Sequence, residues 1–307
     1  MLSLTSDNLP RDATRKMIDS CVATLILPWF AAGSGSGTLA NALCKNACNL
    51  LQRKLCCMAI MKILMLHGYT QTGENFRRKL RRLENRLRQT NAAAKFVYLD
   101  GPMALNTHDI PGIQSATSGY PEDGRHEMGA WFDLRGVSEP PNGLHNSLDM
   151  LAAVLKTQGP FDGVIAFSQG TVVGAMVASL LHGEARLEAY DSASQHAVDI
   201  LRYPDAFRGI KHPPFKFALF YASQMGTGAY SDWIYEYPRI ETRFCHFFGL
   251  LDSMVSHEQR DIVSIKLGGV EGSRLVYHTG GHFVPMDSAN IETAARFIEY
   301  CMRDEPE

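Results

Sequence analysis

One stretch constrains the fold of this chain more than any other. The apolar run Gly163-Val164-Ile165-Ala166-Phe167 passes straight into Ser168-Gln169-Gly170, and then into the small and apolar residues Thr171 to Leu181. Consecutive apolar positions suit a strand buried on both faces, as in a parallel sheet covered by helices. Small residues at 166 and 170 allow a strand to turn sharply into a helix, leaving residue 168 exposed on the bend. The helix behind it aims its free N–H groups and the positive end of its dipole at that bend. The usual pattern has glycine two residues before the serine, and here Ala166 replaces it. By itself a Ser-x-Gly after a strand is often an ordinary turn, so the rest of the chain has to decide.

From Lys62 onward strands and helices alternate. Short apolar strands are predicted at 63–66, 96–99, 161–167, 215–221, 242–248 and 274–277. Helices are predicted at 73–89, 144–157, 171–181, 256–266 and 289–302, the first with Phe76, Leu80, Leu83 and Leu87 on one face. Residues 103 to about 141 read as a long irregular stretch and 183–213 as an insertion. The predicted fold class is α/β, with a mostly parallel central sheet flanked by helices on both faces. In such sheets ligands bind at the carboxyl ends of the strands. Residues 61–307 are expected to form this domain and 1–60 a weakly ordered extension of uncertain status. In that extension, basic residues precede an apolar run broken by Asp19, Ser20 and Pro28, a poor match to a targeting peptide.

Composition removes several classes of function. A formal net charge of -2 gives no reason to expect nucleic-acid binding, and no apolar run is long enough for a transmembrane helix. The seven cysteines are an odd count, with Cys44, Cys48, Cys56 and Cys57 crowded near the start and Cys245 and Cys301 in apolar stretches. With no Asn-x-Ser/Thr acceptor, this favours a reducing, cytoplasmic setting over a disulfide framework. The N-terminal cysteines lack paired Cys-x-x-Cys spacing, so no metal site is expected. Gly35-Ser36-Gly37 superficially fits a dinucleotide loop, but no acidic residue follows at the required distance and Pro28 spoils the preceding strand. No cofactor is expected.

Two later segments give Ser168 its chemistry. The strand from Arg243 ends in Gly249-Leu250-Leu251-Asp252, and the last strand is followed by His278-Thr279-Gly280-Gly281-His282. Each places its polar residue at the sheet edge where Ser168 stands, and the glycines let the histidine loop fold over the bend. Ser, Asp, His is the chain order that a nucleophile at such an elbow requires. A serine hydroxyl is a poor nucleophile at neutral pH, so His282 is expected to take its proton and Asp252 to orient the imidazole. His278 is a rival base, placed nearer the strand end; Glu271 and Asp287 are poorly placed rival acids. Leu66-His67-Gly68-Tyr69-Thr70-Gln71, directly after the first strand, supplies a loop whose Tyr69 N–H, beside that of Gln169, is expected to bind a developing oxyanion. His67 reads as a structural hydrogen-bonder.

These motifs together (His67-Gly68-Tyr69-Thr70-Gln71, Phe161-Asp162-Gly163, Phe167-Ser168-Gln169-Gly170, Gly249-Leu250-Leu251-Asp252 and Gly280-Gly281-His282) resemble those of the fungal serine hydrolase family of the α/β-hydrolase superfamily, over residues 61–303. That family includes polyketide-releasing thioesterases of the lovastatin-pathway type. The resemblance implies a serine hydrolase that cleaves an acyl thioester or ester through an acyl-Ser168 intermediate, without a cofactor. The expected function is release of a polyketide or fatty acyl chain in secondary metabolism, with an acyl carrier protein or polyketide synthase as partner. The alternatives are a general carboxylesterase and a non-catalytic ligand-binding protein. Arg77, Arg78, Lys79, Arg81, Arg82, Arg86 and Arg88 give the first helix a basic face, either a solvated surface or a dock for an acidic carrier. Trp131 and Phe132 wall the acyl pocket or simply pack the core.

Overall fold

A computed structural model describes residues 60–105, 128–134, 140–196, 200–226, 229–236 and 239–303. The expectations for residues 1–59, for 106–127 and 135–139 of the irregular stretch, and for 197–199 of the insertion lie outside these. Among the described residues, all within one compact unit, Met58–Glu307, the strands β1 (Lys62–Leu66), β2 (Lys95–Leu99), β3 (Met103–Leu105), β4 (Met128–Ala130), β5 (Gly163–Phe167), β6 (Phe217–Tyr221), β7 (Arg243–Gly249) and β8 (Arg274–His278) form two sheets. Six of them make one sheet in the order β2-β1-β5-β6-β7-β8, every neighbour parallel. The helices are α1 (Gly73–Thr90), α2 (Leu144–Gln158), α3 (Gln169–Leu180), α4 (Glu184–Ser194), α5 (Asp232–Tyr235), α6 (His257–Leu267) and α7 (Ser288–Cys301).

The side-chain period of two divides the core between the sheet's faces. Leu64, Leu66, Val164, Ala166, Phe220 and Phe244 pack with Leu148, Leu151, Val173 and Met176 of α2 and α3. Ile63, Met65, Ile165, Leu219, Cys245 and Phe247 pack with Phe76, Leu80 and Leu83 of α1 and Ala294 and Ile298 of α7. Cys245 and Cys301 are buried free thiols, and burial pushes them up to about 12 and about 11. Helix starts are fixed locally: Thr72 accepts the Asn75 N–H at 3.1 Å, Ser256 and Gln259 form a capping box, and Asp287 accepts the N–H groups of Ala289 and Asn290.

Three departures from the expected elements matter. The irregular stretch holds an antiparallel pair, β3 with β4, extended by a bridge between Gln71 and Gly129. The presumed insertion contains α4, and its Arg186 is buried, donating to the carbonyls of Trp233 and Glu236. The basic helix α1 is largely engaged with its own protein. Arg86 pairs with Glu292 at 2.8 Å and Glu299 at 2.9 Å on α7, Arg78 with Glu74 at 3.1 Å, and Arg88 with Glu84 at 3.4 Å. Lys79 lies over the Phe167 ring.

The chain winds outward from β1 in one direction to β2, and in the other through β5, β6, β7 and β8. The carboxyl ends of β1 and β5 therefore bound the crevice where the winding reverses, the place where open α/β sheets hold ligands. Ser168 stands there.

Candidate active site

Ser168 has φ 50° and ψ −120°, a strained conformation for a residue with a side chain. The strain is held by packing. The Ser168 N–H donates to the Tyr221 carbonyl at 3.0 Å, while its own carbonyl accepts from the Thr171 amide at 2.8 Å and the Thr171 hydroxyl at 2.6 Å. Gly170 shows why position 170 must be small: a Cβ there would come within 2.5 Å of the His67 carbonyl oxygen. Ala166, by contrast, is wholly buried in the core, so the methyl that departs from the usual pattern has a place.

The three side chains proposed from sequence converge. His282 Nε2 lies 2.8 Å from Ser168 Oγ, and His282 Nδ1 lies 2.9 Å from Asp252 Oδ2. Asp252 follows β7 and His282 follows β8, so each arrives at the same sheet edge as Ser168. The other carboxylate oxygen, Oδ1, accepts the N–H groups of Met254 at 2.8 Å and Val255 at 3.1 Å, which fixes the rotation of the carboxylate. Facing a carboxylate, Nδ1 must carry the imidazole proton, which leaves the Nε2 lone pair for the serine hydroxyl. The Phe167 ring packs against the imidazole, centroids 5.2 Å apart.

The rivals fall elsewhere. His278 ends β8, is depressed by burial, and accepts the Gly280 N–H through Nδ1 at 3.2 Å. Asp287 caps α7, and Glu271 lends its backbone carbonyl to Arg243. His67 is structural: its Nε2 accepts the Gly101 N–H at 2.9 Å, so Nδ1 carries the proton and donates to the Gly68 carbonyl at 2.7 Å. Burial holds it below the ordinary histidine range, in keeping with this neutral form.

Gln169 and Tyr69, the expected oxyanion donors, follow directly after Ser168 and after Gly68 respectively. Gln169 begins α3, so its N–H has no carbonyl within the helix to bond. Gly68, just before Tyr69, sits so close to the elbow that a Cβ would lie 2.7 Å from the Phe167 ring and 3.3 Å from Ser168 Cβ. Sequence reasoning missed Arg260 altogether, and read Trp131 only as a pocket wall or core residue. The buried Arg260 donates through Nη2 to the carbonyls of Asp252 at 3.1 Å and Val255 at 3.0 Å, clamping the loop that carries the acid. Trp131 bonds to the His67 carbonyl after β1 and to the side chain of Gln169 after β5. An arginine or tryptophan in a helix or loop carries no local signal of such a partner. Among the described residues no group of His, Cys, Asp and Glu is placed to hold a metal, and no helix is long and apolar enough to cross a membrane.

A strained serine at the switch point of a parallel sheet, hydrogen-bonded to a histidine and through it to an aspartate, defines an α/β-hydrolase of the serine type. Comparison with known proteins specifies it further: residues 58–294 match the family described as serine hydrolase (FSH1), and the chain belongs to that family. Esterase OVCA2 of Danio rerio is 29% identical over 255 residues, covering 78% of this chain and 96% of the relative. An uncharacterized hydrolase of Schizosaccharomyces pombe is 27% identical over 251 residues, and there the match spans 52% of the relative's length. The crystal structure of Arabidopsis thaliana SOBER1 shares the fold, with a TM-score of 0.50, 14% identity, and 80% of this chain and 100% of that chain covered.

Proposed function

We propose that this hydrolase cleaves carboxylic esters through an acyl-Ser168 intermediate. The observation that carries the reading is the continuous relay from Ser168 Oγ through His282 to Asp252, with both links at hydrogen-bond length. As Ser168 Oγ attacks the ester carbonyl, His282 Nε2 takes the hydroxyl proton, and Asp252 stabilises the imidazolium. The N–H groups of Tyr69 and Gln169 receive the oxyanion, a donor of this kind being worth about 3 kcal/mol. Collapse expels the alcohol, which takes the proton from His282; water then attacks the acyl-serine by the same route and releases the acid.

Support favours the carboxylesterase reading over polyketide release. The OVCA2 relative is named an esterase, and most arginines of the basic helix that would face an acidic carrier are paired with Glu74, Glu84, Glu292 and Glu299 or with the 286–288 segment. Exposed Leu251, Met254 and Phe283 lie within two residues of Asp252 and His282 and offer apolar surface to an acyl group. The test is a panel of simple esters and carrier-bound acyl thioesters, assayed with the wild type and Ser168→Ala. Hydrolysis of the simple esters that disappears in Ser168→Ala is expected. Turnover confined to carrier-bound thioesters would return the preference to the thioesterase, and a folded wild type inert to both would favour the binding protein.

A further inference from the structure

The two backbone donors assigned to the oxyanion come from loops that are not neighbours in sequence, one after β1 and one after β5. Their spacing decides how well they grip a transition state, because preorganised donors stabilise charge without reorganising. We propose that Trp131, whose indole ties the loop after β1 to a segment that its backbone ties to the Gln169 side chain, is the positioning residue that sets this spacing. The inference rests on the acyl-Ser168 reading and extends it to a residue outside the triad.

Trp131 is wholly buried and reaches both loops at once. Its indole Nε1–H donates to the His67 carbonyl at 2.8 Å, holding the loop that leads to Gly68 and Tyr69. Its backbone N–H donates to Gln169 Oε1 at 2.9 Å, and Gln169 Nε2 donates to the Phe132 carbonyl at 2.8 Å, so the first residue of α3 is tied to the same segment. Two residues earlier, in β4, the Gly129 N–H donates to the Gln71 carbonyl at 2.9 Å, securing the far end of the Tyr69 loop. The Trp131 carbonyl accepts the Ser147 hydroxyl, which anchors the clasp to α2. The neutral His67 ring, its centroid 5.2 Å from that of Trp131, spans the Gly68 carbonyl and the Gly101 amide and stiffens the remaining side.

Core packing alone does not call for this arrangement. Burying the Gln169 amide is costly unless both its ends are bonded, and an apolar side chain could fill the space more cheaply. A fully satisfied buried polar network does what apolar packing cannot, fixing one geometry against small slips. Here the fixed quantity is the approach of His67-Gly68-Tyr69 to Ser168-Gln169-Gly170, so close that a Cβ on Gly170 would lie 2.5 Å from the His67 carbonyl oxygen.

The experiment compares Trp131→Phe with the wild type on an ester and its thiono analogue, in which sulfur replaces the carbonyl oxygen. Trp131→Phe keeps an aromatic ring in the core and removes the indole donor. A well-set oxyanion hole disfavours the larger, weakly accepting sulfur, so the wild type should hydrolyse the oxo ester much faster. We expect kcat on the oxo ester to fall roughly 10- to 100-fold with KM little changed, and the oxo-to-thiono rate ratio to shrink by a similar factor. The pH profile should stay in place, because the His282–Asp252 pair is untouched. A ratio equal to that of the wild type, or parallel loss on both substrates, would overturn the proposal by showing a purely structural role. Should Trp131→Phe fail to fold, β-(3-benzothienyl)alanine at position 131 preserves the shape of the indole while replacing N–H by sulfur, and the same ratio decides. A wild type whose ester turnover survives Ser168→Ala would overturn the acyl-serine reading itself, an outcome distinguishable because it needs no change at 131.

Discussion

Gly249, the last residue of β7, lies against the backbone of Gly281, the residue before His282. A Cβ at 249 would stand 2.4 Å from the Gly281 carbonyl oxygen and 2.5 Å from that of Gly280. The acid loop and the histidine loop are thus in backbone contact, reinforced by the Leu251 N–H donating to the Gly280 carbonyl at 3.0 Å. This contact is what allows Asp252 and His282, thirty residues apart, to meet.

The contact makes Gly249→Ala a test of loop registry. The added methyl meets backbone, which cannot rotate aside, so the 280–282 loop must shift relative to Asp252. Displacements near 1 Å at a reacting group cost on the order of 100-fold in rate. A loss of that order in kcat with the cooperative melting transition retained is expected; an unchanged kcat would show that the loops tolerate separation.

Asp252→Asn should leave the fold intact and lower kcat by roughly 10³- to 10⁴-fold, the scale seen when the orienting acid of a serine hydrolase is neutralised. The amide removes the charge that stabilises the imidazolium and permits the wrong tautomer of His282. Steady-state kinetics on a simple ester checks this, and a loss under 10-fold would contradict the assigned role.

Much of this was legible from sequence because each signal was local. Apolar strands, the Ser-Gln-Gly bend, and a polar residue just past β7 and β8 follow from short-range rules of period and turn chemistry. What local pattern could not show was the partner of a side chain reaching across the fold. Trp131 bonds to residues 64 and 38 positions away, and Arg260 grips carbonyls in a loop before its own helix. The β3–β4 pair was hidden for a related reason, because its three-residue strands are too short to display a period and are separated by a long Gly- and Pro-rich stretch. The basic helix, read from sequence as a solvated surface or a carrier dock, held one relation that no local pattern shows: Arg86 pairs with Glu292 and Glu299 on a helix some two hundred residues later.

The small residues around the elbow are not equivalent. Gly170→Ala would press a methyl to 2.5 Å from the His67 carbonyl oxygen and 2.6 Å from that of Leu66, both rigid backbone. Loss of soluble protein or of all activity is expected. Ala166→Gly, which restores the commoner pattern, should cost about 1 kcal/mol through backbone entropy and lost burial while preserving kcat. Thermal melting and ester kinetics on the pair check the contrast, and equal effects would contradict it.

His246 provides a pH prediction away from the site. It is fully buried, bonded through Nδ1 to the Ser223 hydroxyl at 2.7 Å, and pushed down by burial from 6.5 to about 3. The unfolded chain therefore binds a proton that the folded chain refuses between those values. Stability from this group is complete above about pH 6.5 and is lost progressively as pH falls toward 3. His246→Phe, flanked on its strand by Phe244 and Phe248, should flatten the fall of Tm across that window, even if its Tm at neutral pH is lower. An equally steep fall in the variant would contradict the assignment.

The central claim is that the acyl group passes through Ser168 Oγ. Rapid mixing with an activated ester, acid quench and mass spectrometry of the digested protein tests it most directly. The predicted result is an acyl adduct on the peptide containing Ser168, forming before product and absent from Ser168→Ala. Ester turnover with no adduct at that serine, or an adduct that persists in Ser168→Ala, would contradict it.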